Sequence, residues 1–334
     1  MAWVDECPMN RRMIWILRLD RQSQIPFEGG MRQTVKETTD VCIVIVNYNG
    51  AATLVKSVRS IIDNFRYEDY LVVVVDNDST DGSMGLICNI SPKIRFIYSD
   101  KNIGFGGGNN LAFSRFQAKY YYLHNSDAYL CGRSLDVAIE AVSMDNSIGI
   151  LGLPLQFPDG RAQSHAYTRM TVLKKFIQCV KMDSFIKMVA RDSLLIKRIL
   201  SISRTRHGDT FLMGQSLDKS TNSSSIVDVD WVCGASMILS ADLLKNVGNF
   251  DENFFMYYED EDLCWRAHAS SFRVVTMVLQ PVVHDFGWGK SKIKAKPSKR
   301  RLESAAYFVD KHFSRSPISR LALKLLMRIS PKSW

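Results

Sequence analysis

The sequence predicts an α/β protein built on a doubly wound sheet, and three observations carry that expectation. Residues 41–46 and 71–75 are short apolar runs, largely β-branched and without polar alternation, the mark of strands buried on both faces of a parallel sheet. Segments with helical spacing lie between such runs, as in 51–64, where Leu54, Val58, Ile61 and Ile62 share one face. Short polar clusters follow the strands at their carboxyl ends, where sheets of this kind bind ligands.

Taken in order, residues 1–39 have no consistent periodicity and read as a peripheral extension. Glu28-Gly29-Gly30 precedes Met31, and Glu-Gly-Gly is what a purine-rich ribosome-binding sequence encodes when read through. Translation is therefore expected to start at Met31, which the mass of the native N-terminus checks. From residue 40 the pattern is regular: a strand over 41–46, the turn Asn47-Tyr48-Asn49-Gly50, and a helix over 51–64. A second strand, 71–75, ends at Asp76-Asn77-Asp78-Ser79-Thr80-Asp81. A third, 94–98, leads to the glycine-rich stretch 104–108, which opens a helix over 109–118. A fourth, 120–124, ends at Asn125-Ser126-Asp127, and 149–153 is a further apolar run.

Beyond it the pattern loosens. Residues 171–204 read as a basic amphipathic helix and 208–225 as a polar, mobile stretch, together an insert over 171–225. Order returns at 229–239, with a helix start at Ser240-Ala241-Asp242, an acidic cluster within 250–266 and a late strand at 272–278 leading to His284. The main domain is thus expected over 40–290, followed by a basic helical tail, 291–334. From Ser316 that tail is amphipathic: Arg320, Lys324 and Arg328 form a stripe roughly opposite Leu321, Ala322, Leu325, Leu326 and Ile329.

Composition narrows the class. Hydrophobic residues at 46% and charged residues at 23% fit a folded chain and exclude a disordered or fibrous one. No apolar run approaches the roughly 18–20 residues of a membrane-spanning helix. Seven scattered cysteines without a CxxC pair argue against a disulfide framework or zinc knuckle, and no signal peptide is seen, so a cytoplasmic location is expected. The net charge of +9 is uneven: 171–207 carry nine Lys/Arg against two Asp, and 286–334 carry thirteen against Glu303 and Asp310. An acidic body with two basic attachments fits an enzyme at an anionic membrane surface, not a nucleic-acid binder. Two solvated helices would produce the same distribution.

Four clusters can carry chemistry, and each has a plainer reading. Asp76 to Asp81 offers short acceptors for a base or ribose, yet Asp, Asn and Ser are also ordinary turn formers. Gly104 to Asn110 suits close approach of backbone amides to a phosphate, or serves as a flexible turn; following the third strand, it fits a dehydrogenase fingerprint poorly. Asp127 is a candidate for Mg²⁺ or Mn²⁺, or a helix cap. Glu259-Asp260-Glu261-Asp262, flanked by Phe254, Phe255, Tyr257 and Tyr258, crowds four carboxylates together, which suits a general base as well as a helix N-terminus.

Six stretches together carry a resemblance: VCIVIVNYNG (41–50), VVVVDNDSTDGS (72–83), NIGFGGGNN (102–110), WVCGASMIL (231–239), FDENFFMYYEDEDLCWR (250–266) and VVHDFGWG (282–289). In order and spacing they resemble family 2 glycosyltransferases of the GT-A fold, a Rossmann-like mixed sheet flanked by helices, and especially the bacterial rhamnosyltransferase-like branch. The basic insert and tail lie outside the resemblance.

The resemblance implies roles for matching residues. Asp76 and Asp78 would hold the nucleoside of a nucleotide-diphosphate sugar, with Val46, Asn47 and Tyr48 beside it and Gly106, Gly107 and Asn110 lining the nucleotide and diphosphate. Asp127 would be the remaining acidic member of the family's metal motif, with Asn125 at its first position, and His284 would complete the site for Mg²⁺ or Mn²⁺. Asp260 matches the catalytic base; Asp262 and Glu259 beside it, with Trp231 and Gly234, would shape the acceptor and sugar pocket. The implied function is an inverting, metal-dependent hexosyltransferase in cell-surface polysaccharide biosynthesis. Its donor would be dTDP-rhamnose first, then UDP-galactose, UDP-glucose or UDP-N-acetylhexosamines, and its acceptor a saccharide, in particular a lipid-linked one at the inner face of the cytoplasmic membrane. Within the enzyme class a sugar nucleotidylyltransferase is the runner-up, disfavoured because Asn47-Tyr48-Asn49-Gly50 stands where that class has a glycine-rich basic loop. A non-catalytic glycan- or nucleotide-binding module derived from a transferase stays open through Asn125.

Overall fold

The computed structural model describes residues 36–180, 226–285 and 299–331. The Met31 start, most of the basic insert and the 286–298 stretch lie outside the described residues.

The core is an eight-stranded mixed sheet. Its strands are β1 (Glu37–Asn47), β2 (Tyr70–Asp76), β3 (Ile94–Tyr98), β4 (Phe116–His124), β6 (Ile148–Gly152), β10 (Ile226–Asp228), β12 (Ser236–Ser240) and β13 (Arg273–Met277), in the order β10-β13-β6-β12-β4-β1-β2-β3. Short pairs β5 (Ala128–Tyr129), β7 (Leu155–Gln156), β8 (Ala162–Gln163), β9 (Ala166–Tyr167), β11 (Trp231–Val232) and β14 (Val282–His284) build two small sheets beside it. Strands β1 to β4 run parallel, whereas β12 enters antiparallel between β4 and β6. That reversal brings the start of β12 to the edge where the parallel strands end.

The unbroken apolar runs are explained by two cores. Val41, Ile43 and Ile45 of β1 face α1 (Ala51–Asn64) and α3 (Ser134–Met144), while Cys42 and Val44 face α2 (Gly104–Arg115), α5 (Ala241–Val247) and α6 (Glu259–Ala269). Successive strand residues point to opposite faces, so both sets must be apolar.

Helix α2 begins at Gly104, five residues earlier than the sequence pattern suggests. The cause lies in its neighbours. Asn77 Oδ1 accepts from Ile103 N at 2.9 Å and Asn102 Oδ1 from Gly104 N at 3.0 Å, satisfying amides that a helix start leaves open. Gly104 takes φ 80°, and a Cβ there would fall 2.0 Å from the Phe255 carbonyl oxygen; one at Gly108 would fall 2.7 Å from Val46 Cγ1. The glycines set close packing of the helix against β1 and the 250–255 loop, which outweighs their poor helix propensity.

Helix α4 (Val172–Cys179) is the described part of the insert, and α7 (Lys299–His312) and α8 (Pro317–Ile329) are the described part of the tail. All three join a third core. Ala305, Phe308 and Val309 of α7 and Leu323 of α8 are fully buried with Phe254 and Met170, and Tyr258 and Trp265 pack alongside. The tail thereby meets the acidic helix α6 directly.

Candidate active site

Two halves of a site meet at one edge of the sheet. Asn47 ends β1 opposite Asp76 at the end of β2, and His124 ends β4 opposite Ser236, the first residue of β12. The loops after β1, β2 and β4 and the loop before β12 therefore share that edge.

At the end expected to hold a nucleoside, the turns after β1 and β2 brace each other. Asn47 Nδ2 donates to Ser83 Oγ at 2.8 Å and Ser79 Oγ at 3.1 Å, and Asp81 accepts from Ala51 N at 2.8 Å, capping α1 from across the loop. Asp76 is buried and accepts from Ser79 N at 3.2 Å, while Asp78 is exposed at φ 69°. Tyr48 is exposed beside them, and Val46 turns to Gly108. Gly106, Gly107 and Asn110 lie within α2 and are engaged by protein. A Cβ at Gly106 would meet Phe250 at 3.0 Å, and one at Gly107 would meet Ile103 at 3.2 Å. Asn110 exchanges hydrogen bonds with the Phe250 backbone at 2.9 and 3.0 Å. Gly106 and Asn110 fix α2 to the 250–252 loop, and Gly107 packs against Ile103 at the start of the helix.

The second group sits past β4. Asp127 Oδ1 lies 3.3 Å from His284 Nε2, and Asn125 Nδ2 lies 3.2 Å from the same nitrogen. His284 Nδ1 is 3.2 Å from Gln163 Oε1, an acceptor that an Nδ1 proton satisfies, and Nε2 faces the carboxylate, donating to it when protonated and offering a lone pair to a cation when not. Burial would raise Asp127, but the hydrogen bond and charge of His284 outweigh it and hold the carboxyl below its usual range. Among the described residues no three His, Cys, Asp or Glu gather as metal ligands. A carboxylate and an imidazole facing one another, with an amide beside them, nonetheless fit a divalent cation whose remaining positions are filled by substrate oxygens and water. Nothing in the sequence marked Gln163, which sits in the two-residue strand β8.

The third group opens α6. Tyr257 and Tyr258 both adopt positive φ, 69° and 70°, an uncommon geometry for aromatic residues at the turn into α6. Asp260 Oδ2 accepts from Gly234 N at 3.0 Å and Oδ1 from Glu261 N at 2.9 Å. Burial raises its pKa, with those two amides partly opposing. Glu259 is buried with Oε2 unpartnered, and burial and then the Asp260 charge push it well above the ordinary range. Burial raises Glu261 to about 7 against the pull of Lys175 and Lys174 on α4. Asp262 points away, into the third core. It accepts from Arg266 Nε at 2.8 Å and from Lys311 Nζ and His312 Nε2 at 2.7 Å. Burial would raise its pKa, but the His312 and Lys311 hydrogen bonds win and lower it. Trp231 stacks on Tyr167 at 4.0 Å between centroids.

Consecutive backbone groups join the halves. Gly234 N holds Asp260, and Ala235 O accepts from Asn125 N at 3.0 Å.

This mixed sheet, with a polar edge built from the ends of β1, β2 and β4, defines the GT-A fold. Solved structures agree at the level of fold. The mannosyltransferase PcManGT from Pyrobaculum calidifontis, in complex with GDP-Man and Mn²⁺, superposes with TM-score 0.51 at 16% identity, over 97% of this chain and 78% of that one. GalNAc-T7 with UDP, GalNAc and Mn²⁺ gives 0.54 at 12%, over 87% and 56%. Residues 42–212, half the chain, match the family model "Glycosyl transferase family 2", and the chain belongs to that family.

Among curated relatives, N-acetylglucosaminyl-diphospho-decaprenol L-rhamnosyltransferase of Mycobacterium tuberculosis is 21% identical over 224 residues, 64% of this chain. The match spans 66% of that enzyme's length. Rhamnosyltransferase WbbL of Escherichia coli K12 is 22% identical over 218 residues, 65% of this chain and 74% of its own length.

Proposed function

We propose that this chain is an inverting glycosyltransferase that moves a hexose from a nucleotide-diphosphate sugar to a lipid-linked saccharide in cell-surface polysaccharide assembly. On this reading it works at the inner face of the cytoplasmic membrane. One observation carries the reading. Gly234 and Ala235, adjacent in the chain, tie the raised carboxyl of Asp260 to the Asn125–Asp127 turn, which supports a proton acceptor and a diphosphate-binding group working side by side. Rhamnose carried by dTDP leads as donor sugar, because both rhamnosyltransferases named above align with this chain; UDP-hexoses follow.

In this mechanism Asp127 and His284 would hold Mg²⁺ or Mn²⁺, with the Asn125 amide alongside. The bound cation supplies positive charge to a departing diphosphate. Asp260 takes the proton from an acceptor hydroxyl whose oxygen forms a bond to the anomeric carbon as the bond to the diphosphate breaks. Attack from the opposite face inverts the anomeric centre. The Gly234 amide orients Asp260. Trp231, stacked on Tyr167, offers an aromatic wall suited to the C–H face of a sugar ring.

Calorimetry with a panel of nucleotide sugars, with and without Mg²⁺ or Mn²⁺, tests the donor site without an acceptor. One donor should bind in a metal-dependent way, and Asp127→Ala should abolish that dependence. A folded protein that binds no member of the panel would instead support the non-catalytic module.

A further inference from the structure

Helix α8 has a wider apolar face than its neighbours cover. Leu323 is buried, and Leu326 and Met327 pack against the third core. Ile318, Leu321, Leu325 and Ile329 form a second row one step round the helix, and they remain between 55 and 84% exposed. Spacings of three and four residues place the four on one line along the helix. Scattered exposed apolar residues need no explanation, but a continuous row on one helix does.

The adjoining helix carries a second row. Leu173, Phe176 and Val180, at the same spacings on and just beyond α4, are 45–56% exposed, and Cys179 Sγ reaches the Leu326 carbonyl at 3.9 Å. The other side of α4 presents Lys174 and Lys175 to Glu261, the residue after Asp260. These exposed rows therefore lie one helix away from the proposed base.

Charge identifies the occupant. Within α8 there is no acidic residue, and Arg320, Lys324 and Arg328 border the apolar row on one side, Lys324 paired with Asp310 at 2.7 Å. Arg315, Arg320 and Arg328 are exposed, as are Lys299, Arg300 and Arg301 at the start of α7. A second copy docking the same stripe face to face would set these cations against one another. An anionic lipid bilayer satisfies both parts, taking the apolar row at the acyl boundary and the arginines among the headgroups.

We infer that the exposed apolar rows of α8 and α4, with the arginines beside them, are a membrane-docking face for an anionic lipid surface. Its purpose rests on the proposed lipid-linked acceptor, but its test does not. Full-length protein is sedimented with vesicles of phosphatidylcholine alone or mixed with phosphatidylglycerol, and donor binding is measured separately by calorimetry. The protein should bind the anionic vesicles only, and high salt should release it. Leu321→Ser with Leu325→Ser, and Arg320→Gln with Arg328→Gln, should each weaken that binding by about tenfold or more while donor binding is unchanged. Three results would overturn the inference: wild-type protein that ignores anionic vesicles, variants that bind them as wild type does, or a wild-type dimer abolished by the leucine pair with no vesicle binding, which would assign the row to a second copy. Vesicle binding without donor binding would count against the transferase reading and leave this face standing.

Discussion

As the proposed base, Asp260 needs a proton affinity above that of an ordinary carboxylate, and its surroundings raise it. Burial raises it from the ordinary 3.8, while the Gly234 and Glu261 amides keep the carboxylate form accessible. A base acts when deprotonated, so transfer should fall as pH drops through the raised value, placing the acid limb of a kcat–pH profile above 3.8. Asp260→Asn should bind donor normally and lose about 10²–10⁴-fold in transfer. Near-normal turnover would take Asp260 out of the role. Four consecutive acids were plain in the sequence, but their division of labour was not. Successive helix residues turn by about 100°, so neighbours in the chain face different surroundings. The structure sends Asp260 to Gly234, Asp262 to Lys311 and His312, and leaves Glu259 and Glu261 buried with one unpartnered oxygen each.

Between elements, a buried polar cluster joins α6 to α7. Lys311 Nζ lies 2.6 Å from Asp251 and 2.7 Å from the fully buried Asp262, so one cation ties the loop before α6, α6 itself and α7. Removing one partner of a buried ion pair is costlier than the pair is worth, because the remaining charge stays desolvated. Lys311→Met should therefore lower unfolding stability by about 3 kcal/mol near neutral pH, measured by denaturant titration, with Lys311→Arg recovering part of it. The sign with pH is fixed by Asp251. Lys311 and its other donors overcome burial to lower it from 3.8 to about 2, so that stabilisation is present above 3.8 and lost as pH falls toward 2. The penalty of Lys311→Met should shrink over the same interval; a constant penalty would mean the methionine acts through packing. Strands were legible because a strand buried on both faces leaves an unbroken apolar run, and α1 because its apolar residues keep helical spacing. The start of α2 was not, since glycine reads as a turn until Val46 and Phe255 are seen pressing against it. The sequence reads 291–334 as a basic helical tail, but the inward packing of α7 was not legible, because its buried side chains, Ala305, Phe308 and Val309, stand among charges whose partners are remote in sequence.

For the molecule as a whole, sequence spacing placed the boundary of the catalytic unit near residue 290, whereas the packing continues through α7. Phe308 and Val309 are fully buried against Phe254 and Trp265, which belong to the segment carrying the proposed base, and α7 also delivers Lys311 and His312 to Asp262. Helix α8 contributes one fully buried side chain, Leu323, and presents its remaining apolar row outward. The two halves of the tail should therefore come apart in a truncation series. A chain ending at Arg315 keeps α7, and it should lose only about 2 kcal/mol, the worth of one buried leucine, while retaining donor binding. A chain ending before Lys299 exposes the third core and strips a buried carboxylate of two of its hydrogen-bond partners, Lys311 and His312. That second truncation should cost about 5 kcal/mol or more and lower the melting midpoint by at least roughly 10 °C, if the chain folds at all. Thermal melts with calorimetric donor binding read both effects. Equal midpoints for the two truncations would show that α7 is an appendage and that the catalytic unit ends near residue 290; a large gap between them makes α7 a wall of the site and α8 its outer face.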